Sequence, residues 1–358
     1  MNKKIRLIVG WTIIAILIQN AIFLYIDKIY LTSDLKLKVG NINKKKVEDD
    51  KEIKVDIDSS AENIAASYDG KYVSYKLDNK LKIKSLNDNK DTTIDLDELI
   101  KDDTKRTVKN REIVYYNWFE SDDSMIIMQK LVQNGRSYFE PIAYNAKKNE
   151  VRELSDFNMK KLQIPVNSKE DTVGDIAFSN LTHSIYIKID KSKSRSDIYY
   201  ANVMNQLKKV KNNSQVSDMA VTTTNTNLIT EEGNKIRVLN RKNEIKIQNE
   251  KTLKILGTDS NDNLFIGAGS DTKINKVFFG EINDNKNDFK TLNLPVAVNK
   301  KDIFIDNQGK VFINNKDKSE IIDISNGNKS YKYSGDVIAV YNKGLILKSN
   351  NSIVRTKF

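Results

Sequence analysis

The chain has 358 residues, with 59 Lys and Arg against 48 Asp and Glu, a formal net charge of +11, one histidine and no cysteine. The missing cysteines exclude a disulfide framework, a thiolate nucleophile and Cys-based metal sites, and a single histidine excludes multi-His sites. We therefore expect no metal centre and no cofactor. A hydrophobic share of 39% beside 30% charged residues indicates a folded chain.

The N-terminus predicts a membrane anchor. Residues 1–6 carry Lys3, Lys4 and Arg6, and residues 7–26 (LIVGWTIIAILIQNAIFLYI) contain no charged side chain. A helix of this length spans about 30 Å, the thickness of a bilayer core, which is typical of a transmembrane signal anchor. A cleaved signal peptide is the alternative, although its apolar region is usually only about 7–15 residues long.

The positive-inside rule puts residues 1–6 in the cytoplasm and the chain beyond residue 26 outside the membrane. Residues 27–50 are polar and include the lysine run 44–46. They are typical of a solvated stalk, and a basic collar at anionic headgroups is the alternative. The sequence thus predicts a single-pass protein of the cell membrane whose C-terminal domain, residues 51–358, is extracytoplasmic.

From residue 51 onward, short segments of alternating apolar and polar residues are separated by polar turns. This period-two pattern predicts an all-β fold. A recurring pair of strands begins at seven places: Ile64, Ile113, Ile176, Met219, Ile255, Ile303 and Val337. Most units continue to four strands, but the last has three, and one spare strand (52–57) precedes the first unit.

The length of this region fits a β-propeller. The 308 residues from 51 to 358 divide into seven units of 44, against about 40–45 residues for a common propeller blade. We predict seven four-stranded blades, with 52–57 completing the last one. Six or eight blades are alternatives, whereas a β-sandwich pair or a β-helix explains the spare strand less well.

The first unit carries a recognisable turn. Residues 67–71 read SYDGK before a strand, and residues 83–86 read IKSL. This resembles the WD40-like repeats of TolB and of the dipeptidyl-peptidase IV propeller, over about 25 residues of this chain. The resemblance implies a propeller architecture and no active site, because the G-x-S-x-G motif of the peptidase domain is absent.

In a four-stranded blade, the loop leading into the first strand and the turn between the second and third strands emerge on one face, here called the front face. The longest leading loops are predicted at 97–112 and 155–175, and long loops are uncommon unless functional or disordered. We predict an anionic partner over blades 1 to 3, contacted by Lys105, Arg106, Lys109, Arg111, Arg136, Lys191, Lys193 and Arg195. Internal pairing is the alternative, since five acids in 97–112 balance its five bases.

Other candidate residues have structural interpretations beside functional ones. Tyr116 and Trp118 belong to the densest aromatic cluster and are candidates for stacking on a sugar or contacting a partner, or else for packing between blades. His183 is interpreted as an exposed turn residue. The oxygen-rich run 259–263 resembles the start of a calcium loop, but Leu264 stands where that loop needs glycine, so a polar turn is predicted.

Two classes of function follow. The first is a binding or scaffold module, not an enzyme, that engages a protein or an anionic component of the cell envelope. The alternative is an extracytoplasmic propeller enzyme acting on carbohydrate through a carboxylate pair. The lack of a recognisable nucleophile or cofactor motif favours the binding module, and the external location argues against nucleic acid as a partner.

Overall fold

The structure, a computed structural model, describes residues 52–358 apart from 101–106, 121, 157, 180, 203–204, 242–243, 271, 283–287 and 342, together with eight residues between 11 and 23. The predicted cytoplasmic tail and polar stalk, and most of the predicted signal anchor, lie outside the described residues. Among the residues described, none of the helices combines the length and the apolar character needed to cross a membrane.

Within the described residues, the strands from residue 52 onward form seven antiparallel sheets, and each sheet is one blade. Strand β1 (Ile53–Asp56) precedes the first blade in the chain. Blade 1 contains β2 (Glu62–Ala66), β3 (Tyr72–Leu77), β4 (Lys80–Ser85) and β5 (Asp91–Ile94). Blade 2 contains β6 (Val108–Trp118), β7 (Ser124–Gln133), β8 (Arg136–Asn145), β9 (Glu150–Glu153) and the short β10 (Ile164–Pro165). Blade 3 contains β11 (Thr172–Ser179), β12 (Ser184–Lys191), β13 (Arg195–Asn202) and β14 (Asn205–Ser214).

The remaining four blades follow in chain order. Blade 4 contains β15 (Asp218–Val221), β16 (Leu228–Glu232), β17 (Lys235–Val238) and β18 (Glu244–Ile245). Blade 5 contains β19 (Leu253–Thr258), β20 (Asn263–Ser270), β21 (Lys273–Glu281) and β22 (Lys290–Asn299). Blade 6 contains β23 (Ile303–Ile305), β24 (Val311–Asn315), β25 (Glu320–Asp323) and β26 (Lys329–Lys332). Blade 7 contains β27 (Asp336–Tyr341), β28 (Gly344–Ser349) and β29 (Ser352–Lys357), with β1 as its fourth strand.

The blades are arranged in a ring around their first strands. Contacts between first strands run in chain order from β2 through β6, β11, β15 and β19 to β23, and β2 also contacts β27 of the last blade. All seven predicted unit starts lie in first strands. The structure therefore confirms the seven-bladed propeller that the sequence predicts, with four strands in each blade and the short β10 as a fifth strand of blade 2.

The spare strand closes this ring. β1 pairs antiparallel with β29, so that Val55 lies opposite Ile353 and Asp56 lies opposite Ser352. The Ser352 hydroxyl donates to Asp56 Oδ1 at 2.8 Å, and Val55 is only 5% exposed. The first strand of the domain thus completes its last blade, which joins the two ends of the domain and confirms the predicted role of 52–57.

Apolar side chains fill the space between blades rather than the interior of any one blade. Between blades 7 and 1, Val73 and Tyr75 of blade 1 belong to the same buried cluster as Ile346, Ile353 and Val55 of blade 7. Burying one such aliphatic side chain contributes about 1.5–3 kcal/mol. Because each blade supplies only one side of a cluster, each blade depends on its neighbours for a core.

The SYDGK turn of blade 1 has a local and a long-range role. The Ser67 hydroxyl accepts from the Tyr72 amide at 3.0 Å, and Asp69 Oδ1 accepts from the Lys71 amide at 3.1 Å. Gly70 has a φ of +66°, where a side chain is strained, and an added Cβ would lie 3.2 Å from the Tyr341 ring of blade 7. The motif therefore makes a tight turn that also fits against the neighbouring blade.

Two segments differ from the sequence-based expectation of long leading loops. Before blade 2, only one short helix, α1 (Leu96–Leu99), forms among the described residues, and β6 already begins at Val108. Before blade 3, β10 pairs with β8 alongside β9, so part of this segment belongs to the blade 2 sheet. Asp156 Oδ1 accepts from the amides of Asn158 and Lys160, both at 2.9 Å, which produces a tight turn here.

Candidate functional site at the front face of blades 2 and 3

The predicted basic contact residues divide into three groups. Lys105, Arg106 and the side chain of Lys193 lie outside the described part of the chain. Arg111 and Lys191 are described and are engaged in internal ion pairs. The exposed group consists of Lys109, Arg136 and Arg195.

Arg111 is an internal residue of a strand, not a loop residue as the sequence suggested. Its side chain is 3% exposed, its Nε lies 3.1 Å from Asp97 Oδ1, and its Nη1 donates to Gln129 Oε1 at 2.8 Å. Asp97 lies in α1, so the pair fastens the segment before blade 2 to the first two strands of that blade. The sequence analysis interpreted residues 97–112 as a leading loop, and their pattern did not indicate that β6 begins as early as Val108.

Lys191 is likewise committed to carboxylates. Its Nζ donates to Asp171 Oδ2 at 2.8 Å and lies 4.0 Å from Asp197, which in turn accepts from Lys209 at 2.7 Å. Burial opposes ionisation of Asp171, but the hydrogen bonds from Lys191 and from the amides of the 167–168 segment outweigh it and lower the pKa of Asp171. This network joins the loop before blade 3 to its outer strands.

The three exposed cations lie at the same end of adjacent blades. Val108 and Arg136 both pair with Gln133, so Lys109 lies beside the β7–β8 turn that carries Arg136. Arg195 begins β13 directly after the β12–β13 turn and donates to the Asn213 carbonyl at 3.2 Å. Within the described residues, none of the three is paired with a carboxylate. These three exposed cations at the front ends of blades 2 and 3 are called the front basic patch below.

Tyr116 and Trp118 are oriented toward neighbouring protein. Trp118 is 5% exposed, its Nε1 donates to Ser74 Oγ at 2.9 Å, and its ring stacks on Tyr72 of blade 1 at 6.3 Å between centroids. The Tyr116 hydroxyl donates to the Asn63 carbonyl at 2.6 Å. Both rings therefore join blade 2 to blade 1, as the structural interpretation proposes.

Charged groups also gather where several first strands begin. The Tyr115 hydroxyl lies 3.3 Å from Asp175 Oδ1, and burial raises the pKa of Asp175. Lys300 pairs with Asp218 and lies 4.0 Å from Glu231. Each of these acids thus has a hydroxyl or an ammonium beside it, which is an arrangement that stabilises inner strands.

On the opposite face, called the back face, turns of neighbouring blades contact each other. Asp69 of the SYDGK turn shares a hydrogen bond with Asp123 of blade 2 and pairs with Lys71. Burial, together with repulsion from the Asp69 carboxylate, raises the pKa of Asp123 to about 6. The contact between blades 1 and 2 is therefore best satisfied when Asp123 carries a proton.

The sequence analysis missed one feature of the back face. A cavity of about 450 Å³ opens between blades 2 and 3, lined in part by Phe119, Ala143, Phe178 and His183. His183 lies in the β11–β12 turn with a φ of +53° and is exposed, as predicted, but it borders this cavity. No sequence motif marks the site, because its lining residues come from five strands and from the turns next to them.

Comparison with known proteins adds evidence on the fold. No protein-family model matches this chain, and no curated protein matches its sequence. Among solved structures, the β-propeller domain of Cps50 (Swd1) from Myceliophteria thermophila is 9% identical, with a TM-score of 0.51, over 86% of this chain and 100% of that one. A chain of the mitotic checkpoint complex is 11% identical, with a TM-score of 0.49, over 85% of this chain and 90% of that one.

A prolyl endopeptidase is also similar, with 12% identity and a TM-score of 0.48, over 76% of this chain and 42% of that one. At these identities the likeness to the Cps50 propeller concerns the fold alone. The chain thus has a WD40-like seven-bladed propeller fold, and the narrower TolB or dipeptidyl-peptidase IV type stays a prediction.

The Asp69–Asp123 contact predicts a pH-dependent stability. A raised pKa in the folded state means that this contact stabilises the fold as the pH falls below about 6 and is lost as the pH rises above it. Asp123→Asn removes the like charge while keeping a donor for Asp69. We expect it to raise the free energy of unfolding by about 1 kcal/mol at pH 7.5, after solvent screening.

Urea unfolding at pH 7.5 and pH 4.5 measures this difference. The advantage of Asp123→Asn should shrink at the lower pH, where the wild-type carboxyl is already protonated. Asp317→Asn, an exposed site in blade 6, serves as the control and should show no such dependence. If Asp123→Asn stabilises the fold equally at both pH values, the raised pKa of Asp123 is contradicted.

Proposed function

We propose that this protein is a membrane-tethered, extracytoplasmic binding module whose propeller engages an anionic partner through the front basic patch. The observation that carries the proposal is the exposure of Lys109, Arg136 and Arg195 at one end of blades 2 and 3. Neighbouring cations such as Arg111 and Lys191 are neutralised internally. Lys105, Arg106 and Lys193 belong to the same proposed surface by their place in the sequence.

A rigid ring suits this role. Functional groups are commonly carried on loops that a stable scaffold holds in position. Here the Asp171–Lys191–Asp197 network and the Arg111–Asp97 pair fasten the segments on either side of the patch. The patch therefore presents its charges without paying the full entropic cost of ordering long flexible loops at the moment of binding.

The ion pairs of Asp218 and Glu231 favour a binding role over carbohydrate hydrolysis. A glycosidase needs one carboxyl to donate a proton and a second to act as base or nucleophile across the same bond. Asp218 and Glu231 are instead beside lysines, with Lys254 Nζ 2.7 Å from Glu231 Oε1. Both carboxylates are therefore already engaged by lysine side chains of the same chain, which makes them less available to a substrate.

The membrane tether rests on the sequence of residues 1–26. Lys3, Lys4 and Arg6 precede an uncharged segment long enough to cross a bilayer. This orientation exposes the propeller on the outer side of the membrane, where an anionic envelope polymer or an acidic protein surface is accessible to the patch.

Protease protection tests the orientation. Protease added to intact protoplasts should digest residues 51–358, because the proposed topology leaves them outside. A cytoplasmic protein in the same sample should stay intact and so report that the membranes are sealed. Protection of residues 51–358 under those conditions would contradict an extracytoplasmic propeller.

Charge removal tests the patch. Replacing Lys109, Arg136 and Arg195 together with serine should weaken binding by about 3–150-fold at low salt, since three exposed contacts of about 0.2–1 kcal/mol each sum to about 0.6–3 kcal/mol. Binding is measured on sensors coated with polyglutamate or with a glycerol-phosphate polymer, which distinguish an acidic protein surface from an envelope polymer. The difference from wild type should diminish as salt screens the attraction.

A matched variant controls for net charge. Lys90, Lys310 and Lys343 are exposed on back-face turns, and their replacement with serine removes the same charge from the other side of the ring. This control should bind nearly as wild type. Equal losses for the two triple variants would mean that net charge, and not the patch, attracts the polymer.

A further inference from the structure

The cavity between blades 2 and 3 lies on the back face, away from the front basic patch. It is lined by the ends of the first strands, by the starts of the second strands and by the β8–β9 turn. Its volume of about 450 Å³ falls within the range of about 300–1,000 Å³ that is usual for ligand pockets. It is large enough for one bulky side chain and part of the backbone that carries it.

A small residue on the third strand of blade 2 helps to explain why space is left here. In blade 2, the sheet register aligns Ile126 with Ala143, and in blade 3 it aligns Ile185 with Ala201. The two isoleucines fill the gap between the second strands. At the third strand of blade 2, Ala143 lines the cavity with only a methyl group, whereas Ala201 of blade 3 is fully buried outside its lining.

The floor of the cavity is aromatic. Phe119 and Phe178, at the ends of the two first strands, lie 4.3 Å apart between ring centroids at an interplanar angle of 59°. Both remain partly exposed. At the corresponding position between blades 4 and 5, Asp262 instead accepts from the amides of Thr224 and Asn225, which joins the turns by hydrogen bonds.

An exposed apolar residue lies in the turn beside the cavity. Leu181 is 63% exposed, and it lies in the turn between Ser179 and His183, both of which line the cavity. Within the described residues from 52 onward, Met159 is the other strongly exposed large apolar side chain. Leu181 thus adds an exposed apolar side chain next in the chain to residues that line the cavity.

The charges along the outer wall indicate the chemistry of the occupant. Lys148, Glu150 and Arg152 alternate in sign at every second position, and Glu150 and Arg152 pair in register with the cavity residues Asn145 and Ala143. Within the described residues, neither Lys148 nor Arg152 is paired with a carboxylate. An extended segment passing along this wall is best matched by acids at its two ends.

Asp122, on the opposite wall, is partly used by its own turn, because its Oδ1 accepts from the Ser124 amide at 2.8 Å. Its remaining charge repels an acidic ligand weakly and would favour a basic one weakly, so it works against the attraction of Lys148 and Arg152 only to a small extent. Glu150 faces the middle of the segment, where a carboxylate would be repelled and an uncharged side chain would not.

We propose that this cavity binds an extended segment of a partner protein, with one large apolar side chain inserted against Phe119 and Phe178 and a carboxylate two residues to either side. Residues two apart in an extended segment point in the same direction, so the apolar side chain and both acids face the site together. The carboxylates then meet Lys148 and Arg152, and Leu181 covers the inserted side chain. The site is separate from the proposed front-face function, and either one can fail without the other.

The probe is a fluorescein-labelled peptide of sequence Gly-Asp-Ser-Phe-Ser-Asp-Gly, and binding to the purified full chain in detergent is followed by fluorescence anisotropy. Ala143→Leu fills the cavity and should weaken binding at least about tenfold. Leu181→Ser, at an exposed position where folding is not at risk, should weaken it severalfold. Both variants should melt at or near the wild-type temperature, which excludes loss of the fold as the cause.

Charge and peptide controls complete the test. Arg152→Glu should weaken binding, whereas Lys147→Glu, an exposed neighbour outside the cavity lining, should not. Replacing the phenylalanine of the peptide with serine should abolish binding, and replacing both aspartates with lysine should weaken it strongly. The front-patch triple serine variant should bind the peptide as wild type does.

The outcomes separate the sources of binding. Equal affinity of wild type and Ala143→Leu, binding of the serine peptide, or no binding of the phenylalanine peptide at 1 mM would each overturn the proposal. If the front-patch triple serine variant loses polymer binding and keeps peptide binding, the two sites are independent, as proposed.

Discussion

The edge strand of a β-sheet needs a strand to pair with. In this chain the closed ring depends on β1, which pairs with the edge strand β29 of the last blade. Exposed edges template association with other chains. β29 would leave such an edge if the chain did not bring β1 back to it from the other end of the domain. With Val55 opposite Ile353, the seventh blade is completed, and Val55 joins the apolar cluster between blades 7 and 1.

Closure also fixes which side chains are available to partners. Because apolar clusters lie between blades, neighbouring blades are held at a set distance, and their turns meet in a set order on each face. On the front face, carboxylates neutralise Arg111 and Lys191 and leave Lys109, Arg136 and Arg195 exposed. On the back face, the turns of blades 1 and 2 and those of blades 4 and 5 are joined by polar contacts, whereas the seam between blades 2 and 3 is joined by two aromatic rings beside an open cavity.

The strand pattern was predictable because alternation and turn residues are local signals. The seven blade starts, the spare strand and the SYDGK turn all depend on residues close together in the chain. The surroundings of a charge were not predictable in this way. Arg111 is internal because Asp97 and Gln129 approach it from other elements. The cavity is lined by residues of two neighbouring blades, including Ala143 and His183, and no single segment of the sequence reveals that they meet.

Hydrogen exchange of the full chain, followed by mass spectrometry, tests ring closure most directly. Amides of the core strands open only through large-scale unfolding. If β1 completes blade 7, the amides of 53–56 that bond to β29 should be protected to the same extent as those of 352–357, and both should be released together in rising denaturant. Rapid exchange of 53–56 while 352–357 stays protected would contradict closure of the ring by β1.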